Sequence, residues 1–172
     1  APLQLFGHEF CARIVEVGQG VTNFKVGDRI AARAKLPCGD CPLCRAERST
    51  LCRRGPVIGF DQPGCFSQLA LLPENCLVKV DDRISNSVAA CLQSLSDSVA
   101  AVETAGIQIA DTVVIFGQGS MGLECLQIAR ISGAGQVITV DVRDEAILRD
   151  LDEGRRRERP AQRVRVVTVS LD

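Results

Sequence analysis

TVVIFGQGSMGLECLQIARISGAGQVITVDV, residues 112–142, changes its hydrophobic period twice. Thr112–Gly117 is an almost continuous apolar run closed by a glycine, as a buried parallel strand requires. Residues 120–132 repeat their apolar positions at helical spacing, and QVITVDV at 136–142 is a second buried strand. Strand, helix and strand in this order predict a β-α-β unit. The join between the first strand and the helix reads Gly117-Gln118-Gly119-Ser120-Met121-Gly122, which is G-x-G-x-x-G in the context that gives the motif meaning. Gly117 permits a tight turn, Gly119 lets backbone approach a pyrophosphate, and Gly122 allows close helix–strand packing. Ser120 and Met121 open the helix, whose N–H groups and positive dipole end face an anion. Asp141 ends the second strand, nineteen residues beyond Gly122, placed to accept from an adenosine ribose and to repel a 2′-phosphate. These residues predict a dinucleotide site that prefers NAD, with NADP disfavoured. The bland alternative is glycines that serve packing only, with Asp141 a solvated strand-end carboxylate.

Upstream lies a second dense signal, PCGDCPLCRAERSTLC at 37–52. Cys38, Cys41, Cys44 and Cys52 follow C-x2-C-x2-C-x7-C, a spacing that closes a tetrahedral thiolate shell around one Zn²⁺. With four protein ligands no position stays open for substrate, so such a zinc is structural and staples a loop too polar to make its own core. The alternatives are buried thiols, a disulfide pair or an iron–sulfur cluster; the cluster is disfavoured by the seven-residue gap before Cys52.

Around these signals the chain divides. The first 80 residues read as all-β: strands at 12–18, from Lys25 to about Arg33, near 57–59, at 65–72 and at 76–80. Residues 85–105 repeat apolar positions as one helix, capped by Asn86 or Ser87 and stopped at Gly106. Domains are therefore expected at 1–95 and 96–172. From Arg143 to Asp172 there are eight arginines and no lysine. That tail reads as a solvated helix end followed by a strand at 164–170, or as sequence foreign to the rest.

Bulk properties exclude several classes. The 172 residues are 46% hydrophobic with a net charge of −1, which gives no electrostatic footprint for nucleic acid. No apolar run is long enough for a bilayer, and no basic segment leads an apolar one. Nine cysteines is an odd count, and the five outside the lobe, Cys11, Cys65, Cys76, Cys91 and Cys125, are scattered among apolar neighbours, which suggests a reducing compartment, the cytoplasm.

Gly7-His8-Glu9-Phe10, Val26-Gly27-Asp28-Arg29, the four-cysteine lobe and Gly117–Gly122 with Asp141 together resemble the zinc-dependent alcohol dehydrogenases of the medium-chain dehydrogenase/reductase family. The resemblance covers about residues 5–145. It implies a partial GroES-like β domain with a structural-zinc lobe, followed by a partial Rossmann domain with a doubly wound parallel sheet. It implies hydride transfer between a small alcohol or polyol and NAD, zinc as cofactor, and homo-oligomers among full-length members. Carried over, His8 is a catalytic-zinc ligand, Glu9 the acid beside it, and Gln93 occupies the position of the last zinc ligand. The family's first catalytic Cys and its proton-relay hydroxyl would precede Ala1, and its later strands would follow Asp172. The chain is thus expected to be an internal part of such an enzyme, without enzyme-like turnover alone, and with the 112–117 strand left unpaired along one edge. A zinc- and nucleotide-binding module without catalysis, or an interaction protein, is the alternative.

Overall fold

A computed structural model describes residues 5–142 and 164–168. Two units divide the chain, Ala1–Gln93 and Ser94–Asp172, two residues ahead of the expected division.

In the first unit the short strands β1 (Ala12–Arg13), β2 (Arg29–Ala32) and β3 (Leu77–Lys79) form an antiparallel sheet in the order β1-β2-β3. Ala31 faces Val78, and Ile30 faces both Ala12 and Lys79. β1 is much shorter than the alternating run at 12–18. Ile14 still exchanges hydrogen bonds with Asp28 and Gly27, but Gly27 then turns away at φ +94°, and no strand among the described residues pairs with Val15 and Val17. Asp28 closes that turn: its carboxylate accepts from Lys25 N–H at 3.1 Å and meets Lys79 Nζ of β3 at 3.0 Å. Beneath the sheet, Ala32, Leu36, Ile58 and Cys76 form one small core, and Ala31, Val80 and Ala89 another. Arg29 ties the second core down, donating to the carbonyls of Asp81 and Ile84 and to Asn86 Oδ1.

The strands expected near 57–59 and at 65–72 do not form. Val57 and Ile58 make only isolated bridges, to Lys35 and Gln62. Cys65 and Phe66 donate to the carbonyls of Gly7 and Phe6, but Leu69 and Leu71 beyond them are 72% and 99% exposed. Alternation is a sufficient signal for a strand only where a neighbouring edge exists to pair with. The cysteine loop contains one four-residue helical turn, α1 (Pro42–Arg45), and a single 3₁₀ turn at Ser49–Leu51.

The helix expected over 85–105 is two. α2 (Asn86–Ala90) is capped by Ser85, whose hydroxyl accepts from Val88 N–H, and α3 (Leu92–Ala105) starts after a break at Cys91. In the second unit, β4 (Thr112–Phe116), α4 (Ser120–Ile131) and β5 (Gln136–Val140) form the β-α-β unit. β4 and β5 are parallel in register Thr112↔Gln136 to Phe116↔Val140. Val102 of α3, Val113 and Ile115 of β4, and Cys125, Leu126 and Ala129 of α4 make the core. The expected unpaired edge of β4 is not observed: β6 (Val164–Thr168) lies parallel along it, giving the order β5-β4-β6. The Val-rich end of the tail supplies that strand, since a short β-branched run favours a strand. The solvated helix end expected before it falls outside the described residues.

Candidate functional site

The cysteine lobe is a cage before any ion enters it. The four Sγ atoms of Cys38, Cys41, Cys44 and Cys52 lie within 4.8 Å of one another, with Cys38 and Cys44 at 3.9 Å. A tetrahedron with Zn–S near 2.3 Å has edges of about 3.8 Å, so the cage fits zinc. No disulfide links any of the nine cysteines. Local backbone builds the cage. Cys41 caps α1 and its sulfur accepts from Cys44 N–H at 3.4 Å, while Cys52 Sγ accepts from Cys38 N–H at 3.4 Å. Gly55 packs so closely behind that a Cβ there would sit 1.6 Å from the Leu36 carbonyl.

These contacts spread the thiol pKa values. The Cys38 N–H lowers Cys52 to about 6, and the Cys44 N–H lowers Cys41. Burial, with the neighbouring thiols, pushes Cys44 up to about 12. Four thiolates this close repel one another, and a divalent cation removes that conflict.

His8 lies elsewhere in the first unit. Its ring stacks at a tilt on Phe60, centroids 5.5 Å apart, and its Nδ1 is buried without a hydrogen-bond partner among the described residues. Buried polar atoms are ordinarily hydrogen-bonded, so this nitrogen calls for an explanation. Glu9 is exposed and makes no ion pair among the described residues. Gln93 is half-buried in the first turn of α3. Among the described residues the four cysteines are the only cluster of three or more His, Cys, Asp or Glu groups, so His8 and Glu9 belong to none.

The glycine turn has the geometry its motif demands. Gly117 sits at φ +90°. A Cβ on Gly122 would lie 1.8 Å from the Gly117 carbonyl oxygen, so α4 can leave β4 only with glycine there. A Cβ on Gly119 would meet nothing within 4 Å, which leaves that face of the turn open to a ligand. Gly119 caps α4 without a side-chain hydrogen bond, so the first-turn N–H groups beside Ser120 and Met121 have no side-chain acceptor from the cap. Asp141 reaches back from the end of β5, its Oδ2 accepting from Gln118 N–H at 2.6 Å.

Three features escape sequence patterns. The Gln118 side chain is 2% exposed; its Nε2 donates to the Gly117 and Ile115 carbonyls, and its Oε1 is unpaired. Glu124 of α4 accepts from Ser94 at 3.0 Å and Ser98 at 2.8 Å, pinning α3 to α4. Arg54 donates to Cys38 Sγ and pairs with Asp40. Only the last carried a signal, a basic and an acidic residue within two positions of zinc-spaced cysteines.

A thiolate cage on a small antiparallel unit is thus followed in one chain by a glycine-rich β-α-β turn. Residues 1–82 match the alcohol dehydrogenase GroES-like domain. Over most of its length the chain is similar to zinc-binding and alcohol dehydrogenases. It is 34% identical over 136 residues to the L-threonine 3-dehydrogenase of Rhizobium rhizogenes, covering 79% of this chain and 39% of that protein. Among solved structures, galactitol-1-phosphate dehydrogenase from Escherichia coli aligns with TM-score 0.79 at 27% identity, over 84% of this chain and 42% of the other. A proposed zinc-binding dehydrogenase from Sinorhizobium meliloti, bound to NADP, aligns with TM-score 0.79 at 33% identity, over 85% and 43%. The chain thus spans about two fifths of the length of the relatives it matches. No helix among the described residues is long and apolar enough to cross a membrane.

Proposed function

We propose that this chain carries the structural-zinc lobe and the dinucleotide cradle of an oxidoreductase that moves hydride between the carbinol carbon of a small alcohol or polyol and NAD. The observation that carries the proposal is the glycine turn, where Gly122 is sterically obligatory, Gly119 faces open space, and Asp141 is drawn to the turn by Gln118 N–H. In this role the first-turn N–H groups of α4 hold the pyrophosphate, and Asp141 takes the ribose hydroxyls while opposing a 2′-phosphate. His8, through its unpartnered Nδ1, is the best-prepared ligand for a catalytic zinc. Glu9 and Gln93 complete the proposed set as adjacent acid and neutral oxygen donor. When bound, zinc supplies a Lewis acid for the alkoxide and the nicotinamide accepts hydride.

The two named relatives act on hydroxylated small molecules, threonine and galactitol 1-phosphate, which favours a secondary alcohol or polyol as substrate. Nine cysteines without a disulfide favour a cytoplasmic setting. Neither nucleic acid nor membrane enters the reading, and homo-oligomers are expected, as in the family. Calorimetric titration with NADH and NADPH tests the cradle. NADH should bind at least about tenfold more tightly, the order set by one repelled charge. Equal or tighter NADPH binding removes Asp141 from its role, and binding of neither removes the cradle.

A further inference from the structure

The sulfurs draw hydrogen bonds from two different kinds of donor. Cys41 and Cys52 are served by backbone N–H groups, of Cys44 and Cys38 respectively. Those donors survive almost any substitution. Cys38 differs. Its sulfur accepts from Arg54 Nη2 at 3.5 Å, the only side-chain N–H donor to the cage among the described residues. Arg54 is in turn paired with Asp40, which sits between the first two ligands in the chain.

Exposure sharpens the difference. Cys41 and Cys52 are buried, while Cys38 and Cys44 are only half-buried. A proton, chelator or oxidant attacking the site therefore meets Cys38 or Cys44 first. Zinc with four thiolates carries a net charge of about −2, and a guanidinium against one sulfur offsets part of it and favours the thiolate. The Arg54–Asp40 pair is itself exposed, at 58% and 73%, and exposed pairs add little to folding. Its consequence is felt at the metal.

We propose that Arg54, held in place by Asp40, is a positioning residue that latches Cys38 onto the zinc and sets how fast the lobe releases its metal. The proposal rests on zinc occupying the cage. Partners one layer out from a metal commonly change its retention by about 10–100-fold.

The test uses the purified zinc-loaded protein and follows metal transfer to a chromogenic chelator. Arg54→Gln should release zinc roughly tenfold faster or more, Asp40→Asn should fall between it and the unaltered protein, and Arg54→Lys should recover part of the loss. Arg53→Gln, which removes the same charge from the exposed neighbouring position, should release at the unaltered rate. In cobalt-loaded protein, Arg54→Gln should move the thiolate-to-metal charge-transfer band to longer wavelength, because a sulfur that loses a donor gives up its electrons more easily. Circular dichroism should show no loss of structure. Unchanged release and spectrum in Arg54→Gln, or an equal acceleration in Arg53→Gln, overturns the latch while leaving the zinc assignment intact. Unaltered protein that binds no zinc overturns both.

Discussion

The cysteine lobe and the β-α-β unit are both dense in motif, yet they hold themselves together by opposite means. The second unit has a core of its own: Val113, Ile115, Cys125 and Ala129 are fully buried between β4, α3 and α4. The lobe has almost none. Between residues 37 and 55 only Cys41, Cys52 and Gly55 are buried, and its regular structure amounts to one helical turn and one 3₁₀ turn. Its order is supplied by four sulfurs pointing at one place. Motif density therefore does not measure how a region is stabilised. A segment too polar to exclude water can still be specified, if a cation takes over the work of a core.

Breaking the cage should give the largest effect. Cys44→Ser leaves three thiolates and should reduce zinc content from about one equivalent to well below half, with the lobe losing order as the metal leaves. Elemental analysis, with limited proteolysis between residues 38 and 54, reads both. Unchanged zinc content, or iron in its place, would sink the cage. The β-α-β unit should keep its helical signal, because its stability comes from packing.

The converse substitution lies in the glycine turn. Gly122→Ala puts a methyl group 1.8 Å from the Gly117 carbonyl and should cost about 1–3 kcal/mol, lowering the melting temperature and abolishing nucleotide binding while zinc content stays unchanged. Gly119→Ala meets no neighbour within 4 Å. It should fold like the unaltered protein and lose nucleotide affinity alone. If both alanine variants behave alike, Gly119 and Gly122 do not have separate roles.

The smallest expected effect tests a carboxylate of the first unit that lies outside the lobe. Glu74 accepts from the backbone N–H groups of Asn23 and Thr22, and the Asn23 bond chiefly holds its carboxyl below the ordinary value of 4.5. A depressed carboxyl stabilises the fold fully above that ordinary value and loses its contribution as pH falls through the folded one. Glu74→Gln should therefore melt slightly earlier than the unaltered protein at neutral pH, with the gap closing in acid. A gap that persists in acid would assign the effect to something other than charge.

Legibility along the chain followed how local the determining physics is. The zinc lobe and the glycine turn were readable because each depends on residues a few positions apart. Four thiolates at ligand spacing need no distant partner to meet, and a side chain at position 122 would clash with a carbonyl five residues before it. The run at 65–72 alternates as well as any strand, yet Leu69 and Leu71 stand exposed because no edge lies beside them. The run at 164–170 reads as a strand or as sequence foreign to the rest, and only the fold places 164–168 along β4. Pairing is a property of two segments, and one of them cannot announce the other.

The same distinction separates the candidate residues. From the sequence alone came the cage, the cradle and the two-unit order, since spacing and period are written in the chain. Tertiary structure decided that His8 buries an unpartnered Nδ1 against Phe60 while Glu9 faces solvent. It decided too that Asp141 answers Gln118 N–H, and that Glu124 gathers Ser94 and Ser98. It placed Arg54, rather than Arg53, on the Cys38 sulfur. Those outcomes turn on which side chain reaches which atom across a fold, and such distances come into being only when the segments pack.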